Sequence, residues 1–270
     1  MQMRKRSKRI LFPFIVLLGA LLLAGCLDVD TTITVKPDGS GSVEQTFLMQ
    51  SDILAMLKSM GGEDGGDFSL MDTEELESNA RAMGKGVELE SAEPYERNGF
   101  EGYKAVYSFD DISNLRVNQN PGDSVPDAGP EEGEDVKEFI TFDFKKGNRS
   151  TLTINLPQEP GDADSDEAGE GVEDMPDSQE MDMIKQLYEN MQLSMKVAVD
   201  GIIRKTNATH RNGSTLTLME MDFGKIFGSK DTFEKLAKSN PQSLEEIKGL
   251  VEDVPGIKVE LNETVTVEFD

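Results

Sequence analysis

Three places in this 270-residue chain carry residue types that could do chemistry: a lone cysteine, a lone histidine and a run of acids. Cys26 is the only thiol, so it can form no intramolecular disulfide and has no second sulfur for a metal pair. What precedes it gives it a use. Arg4, Lys5, Arg6, Lys8 and Arg9 lead into an apolar stretch, Ile10 to Leu23, that ends in Leu23-Ala24-Gly25-Cys26. A basic n-region, an apolar h-region and a small-residue cleavage site stand in the order of a signal peptide, residues 1–25. The apolar stretch is about 14 residues, interrupted by Pro13 and Gly19, and falls short of the ~20 needed to span a bilayer.

The acidic run Asp162-Ala163-Asp164-Ser165-Asp166-Glu167 continues to Glu170 and Glu173. It places Asp162, Asp164, Asp166, Glu170 and Glu173 at positions 1, 3, 5, 9 and 12 of a calcium-loop pattern. Glu167 stands where that loop turns on glycine, Gly169 replaces an apolar residue, and Pro157, Pro160 and Pro176 deny it flanking helices. A solvated linker accounts for the run better than a metal site. His210 has no cysteine or second histidine near it in sequence and reads as a surface residue. No Gly-x-Ser-x-Gly, phosphate-cradling glycine loop or His-Glu-x-x-His is present, so no catalytic residue and no cofactor is expected.

The ending Leu-Ala-Gly-Cys resembles the lipobox of bacterial lipoproteins. That resemblance implies cleavage before Cys26 and a diacylglyceryl thioether on its sulfur, an anchor that labelled palmitate would report. The residue after the cysteine is Leu27, not an aspartate, which by resemblance to the sorting rule of enteric bacteria favours the outer membrane where the organism has one. The protein is thus expected in the cell envelope, extracytoplasmic or periplasmic, with the membrane as its first partner. An unidentified envelope protein, lipid or glycan would be the second.

Charge excludes other partners. Five of the 27 basic residues and none of the 52 acids lie in residues 1–25, so the mature chain keeps 22 bases against 52 acids, a net charge of −30. Such a surface repels nucleic acid and anionic headgroups, leaving the lipid to hold the protein to the membrane.

Positioning these residues falls to a series of hairpins. Thr31–Val35 alternates and is β-branched, Pro37-Asp38-Gly39-Ser40-Gly41 turns, and Val43, Phe47 and Met49 resume a period of two. Ser51 caps a helix bearing Ile53 and Leu57, and Asp72-Thr73-Glu74-Glu75 begins another through Leu76 and Ala80 to Gly84. Strands follow at 86–92 and 100–109, with a helical turn near Asp111. Hairpins are expected around 145–148 and around Asn212-Gly213, and helices at 179–191, from Phe223, near 232–239 and from Ser243. A final strand or strand pair closes the chain from Ile257 to Phe269. Two acidic inserts without a basic residue, 118–135 and 157–178, read as disordered loops. Segments 26–117, 136–156 and 179–270 remain to be folded, the last sharing the first one's sheet. Antiparallel hairpins followed by helices predict an α+β fold in which one curved sheet packs its helices on one face.

One resemblance extends past the cysteine. Residues 28–47, with Thr-Ile-Thr-Val-Lys-Pro-Asp-Gly-Ser-Gly-Ser-Val, are similar to the opening of the LppM-like group of uncharacterised bacterial lipoproteins. The resemblance implies an extracytoplasmic α+β domain and brings no catalytic residues. The expected function is a membrane-anchored, non-catalytic binding or envelope-assembly domain. The competing expectation is an enzyme acting on envelope polymers through paired carboxylates, which would need two acids converging in one cleft.

Overall fold

The computed structural model describes residues 27–60, 70–118, 139–157, 190–229, 231–232 and 254–270. Strands β1 (Leu27–Val35) and β2 (Gly41–Gln50) form the first hairpin, in register from Leu27 opposite Met49 to Val35 opposite Gly41. Its turn is fixed locally. Asp38 Oδ1 accepts hydrogen bonds from the Ser40 amide and hydroxyl, and Gly39 takes a positive φ of 95°.

Helix α1 (Ser51–Met60) leaves β2 directly, and α2 (Thr73–Met83) begins where Asp72 accepts from the Glu74 and Glu75 amides. Strands β3 (Val87–Arg97) and β4 (Phe100–Phe109) meet at Asn98-Gly99, both with positive φ. Asp111 caps a single 3₁₀ turn, Ile112–Asn114, that leads into β5 (Arg116–Asn118). Then come β6 (Phe139–Lys145), β7 (Ser150–Asn155), β8 (Gln192–Val199), β9 (Ile203–Thr206), β10 (Arg211–Asn212) and β11 (Thr215–Asp222). A short α3 (Phe223–Gly228) precedes β12 (Ile257–Val259) and β13 (Thr264–Phe269).

These strands make two sheets. The first runs β10-β11-β8-β1-β2-β4-β3, with β12 also on β11; the second runs β5-β6-β7-β13-β9. Alternate residues of both point into one hydrophobic cluster, with Ile33, Val43 and Phe47 from the first sheet and Leu152, Ile154 and Val267 from the second fully buried. Each such side chain contributes about 1.5–3 kcal/mol of burial. The sheets are laced together near the end of β1: Ser150 Oγ donates to the Pro37 carbonyl and Ile112 N to Gly39 O.

The expected α+β fold, one curved sheet carrying helices on one face, is corrected by this arrangement. The described chain is mostly β, with two multi-stranded sheets and three short α-helices. Hairpin patterning reports which residues pair locally; it does not report which sheet each hairpin joins. Here β6–β7 and β13 form a second sheet whose apolar face covers the first, the role assigned to helices. The pairing is also not wholly antiparallel, since β1 lies parallel to β8. The hairpin expected around Asn212-Gly213 is split: β10 turns into β11 there, β8 pairs with β11, and the intervening β9 crosses to the second sheet. Of the final strand or strand pair expected from Ile257 to Phe269, the structure has the pair, with one strand in each sheet. The helices expected at 179–191, 232–239 and from Ser243 fall almost entirely outside the described residues, as do the acidic inserts 118–135 and 157–178 apart from Asn118 and Pro157.

Candidate functional site

Cys26 and all five acids of the calcium-like run lie outside the described residues. Leu27, the next residue after Cys26, already belongs to β1, which begins ahead of the strand expected from Thr31. His210 is half-buried between β9 and β10, and its carbonyl accepts from Thr217 N. Beside it, the buried Glu260 carboxylate accepts from the Thr209 amide and hydroxyl and from the Asn262 amide and side chain. These four donors, three of them on Oε1, make it a clip between two loops. Met191 and Met195 are buried. Among the described residues no group of three His, Cys, Asp or Glu is placed to hold a metal ion.

Carboxylates do converge on the face of the first sheet turned away from Ile33, but each meets a cation. Lys196 Nζ lies 3.4 Å from Asp30, Lys104 Nζ 2.9 Å from Glu44 and Lys258 Nζ 2.8 Å from Glu220. Asp28 is different in burial. Its side chain is 5% exposed, Arg97 Nη2 donates to Oδ2 at 2.5 Å, and Oδ1 has no partner. Burial pushes its carboxyl above the usual carboxylate range, against the opposing pull of the Arg97 guanidinium. Asp30, two residues along, faces the same way and adds a smaller push in the same direction. The Ser194 hydroxyl, opposite Asp30 in register, is buried without a partner as well. The two acids therefore sit in a sheet-wide charge ladder, not in a cleft.

A concavity among the described residues lies elsewhere, and it is basic. A cleft of about 550 Å³ is lined by Arg81, Gly84, Lys85, Gly86, Val87, Asn114 and Arg116. Gly84 permits it. A Cβ there would meet the Asn114 carbonyl oxygen at 2.0 Å, and φ is +146°, so glycine alone lets the end of α2 close against the 3₁₀ turn. That approach brings Arg81, on the last turn of α2, beside Arg116, at the start of β5. Arg116 is held from two sides: Nε donates to the Ala82 carbonyl at 2.8 Å, and the guanidinium lies 5.0 Å over the Phe139 ring. Its Nη groups and the Lys85 ammonium have no partner among the described residues, and Arg81 reaches only the exposed Glu77, at 3.9 Å. No Asp or Glu is among the lining residues. In a chain with 52 acids, this is a local reversal of charge.

Basic residues at a helix C-terminus have a structural role, since they offset the dipole and satisfy terminal carbonyls. Arg116 does this through Nε. The dipole is worth about half a charge, however, and three cations converge here, so a positive surplus remains. Sequence reading took Gly84 as a helix stop and no more, because Arg116 is remote in sequence and the net charge points the other way. The Gly84-Lys85-Gly86 turn was the signal available.

No family model matches the chain, and no curated protein matches it. Among solved structures, the folded domain of LppM from Mycobacterium tuberculosis overlaps it with a TM-score of 0.35 and 12% identity, over 90% of this chain and 89% of that one. A likeness that loose carries no functional assignment.

Proposed function

We propose that this protein is an extracytoplasmic lipoprotein, held to the membrane through Cys26, whose β domain binds a component of the cell envelope without catalysing a reaction. The observation that carries the reading is the junction at residues 23–27. A basic segment, an apolar segment and Leu-Ala-Gly-Cys run without a spacer into β1, an interior strand of the larger sheet. A single acyl chain binds membranes only marginally, whereas a diacyl thioether anchors stably, so no further membrane contact is required of so acidic a surface. No helix among the described residues is long and apolar enough to cross a membrane. The non-catalytic half of the reading is supported by the ladder of ion-paired carboxylates and by the hydrogen-bonded Glu260: among the described residues no acid pair faces a cleft.

The test is Cys26→Ala in intact cells. Wild-type protein should incorporate labelled palmitate and mature at residue 26. The variant should do neither, while its domain folds with an unchanged melting profile, since every described strand begins after the cysteine. Continued palmitate incorporation and unchanged maturation in the variant would remove the basis for the reading.

A further inference from the structure

We infer that the cleft between the end of α2 and the start of β5 is an oxyanion site, taking a phosphate or carboxylate group from the aqueous envelope and not from the bilayer that carries the protein. The inference deepens the binding reading above and rests on it. Three observations converge. Among the described residues, Arg81, Lys85 and Arg116 ring a cleft with no acidic lining residue, whereas Arg97, Lys104, Lys196 and Lys258 on the first sheet are each held by a carboxylate. Arg116 is preorganised by Phe139 and the Ala82 carbonyl while both Nη groups have no partner among the described residues, so little side-chain entropy is lost when it takes an anion. The general field of an acidic protein repels anions, so such a cleft admits one only where cations outnumber acids within a Debye length.

Register supplies the third observation, the position. Val87, in the cleft wall, pairs with Phe109, Phe109 with Gly41, and Gly41 with Val35, the last residue of β1. Leu27, beside the anchor, is at the opposite end of that strand, about 27 Å away along its axis. The cleft and the lipid therefore occupy opposite ends of one sheet.

The experiment titrates the full-length lipoprotein in neutral detergent micelles with inorganic phosphate and with succinate, following backbone amide and arginine side-chain resonances. Saturable shifts should centre on Lys85, Gly86 and Arg116. Lys85→Gln with Arg81→Gln should weaken binding at least about tenfold, since charge-assisted hydrogen bonds of ordinary strength are lost. Both residues are exposed, and the ion pair of Arg81 with the exposed Glu77 is long at 3.9 Å, so the variant's thermal midpoint should stay within a few degrees of the wild type. A second arm uses vesicles containing phosphatidylglycerol. Shifts spread evenly over Lys36, Lys145 and Lys146, unchanged affinity in the variant, or binding to the vesicles alone would each overturn the inference. Palmitate labelling of Cys26 is independent of all three, so the cleft can fail while the lipoprotein reading stands.

Discussion

Removing Arg97 should cost far more than removing the acid it holds. Arg97→Gln would leave a carboxylate whose side chain is 5% exposed, with Oδ1 already lacking a partner and Oδ2 losing its guanidinium. Stripping one member from a buried pair costs about 3–5 kcal/mol. Asp28→Asn instead leaves a guanidinium that is 35% exposed and can take up water, a loss of about 1 kcal/mol or less. The double substitution should recover most of the Arg97→Gln deficit, because the stranded charge is gone.

The pH dependence distinguishes charge from shape. Burial raises the folded-state value of Asp28 above its ordinary 3.8, so the folded form holds the proton more tightly than the unfolded chain. The stability from that tighter hold is complete below the unfolded value and is lost as pH rises through the folded one. Losing Arg97 raises the folded value further. The deficit of Arg97→Gln should therefore grow from acid toward neutral pH and level off above the new value. Urea unfolding of the detergent-solubilised protein, followed by far-UV circular dichroism across that window, measures it. Equal costs for the two single substitutions, or an Arg97→Gln deficit independent of pH, would refute the account of Asp28 as a buried, ionised group.

Two other substitutions test separate parts of the fold. Gly84→Ala must displace the Asn114 carbonyl, 2.0 Å from the new Cβ, at a backbone angle that L residues avoid; it should cost about 1–3 kcal/mol in urea unfolding and loosen the cleft. Tyr107→Phe removes a hydroxyl that is buried without a partner, and whose ionisation burial pushes up to about 12, so thermal melting should rise, by about 2–4 °C for each kcal/mol regained.

Local structure was legible in the residues because its causes are local. Asp72 caps α2, Asp111 caps the 3₁₀ turn, and Pro37-Asp38-Gly39-Ser40 turns the first hairpin, each within a few residues of what it controls. What could not be read is decided across distance. The parallel meeting of β1 with β8 joins residues more than 150 apart in sequence, and no period in either strand encodes its partner. The same holds for both sites. Asp28 gains its burial and Arg97 only in three dimensions, and Arg116 reaches Arg81 only because Gly84 permits the approach.

The place where β1 begins has a mechanical consequence. A load pulling on the lipid proposed at Cys26 would enter the fold at Leu27 and run along the axis of an interior strand, paired over nine positions with β2 and seven with β8. Tension along that axis shears both ladders at once, whereas a pull across an edge strand would peel bonds one after another. Because β1 begins at the residue after Cys26, force carried by the proposed anchor would reach the core directly, and the lipid's hold on the bilayer would be the weakest link.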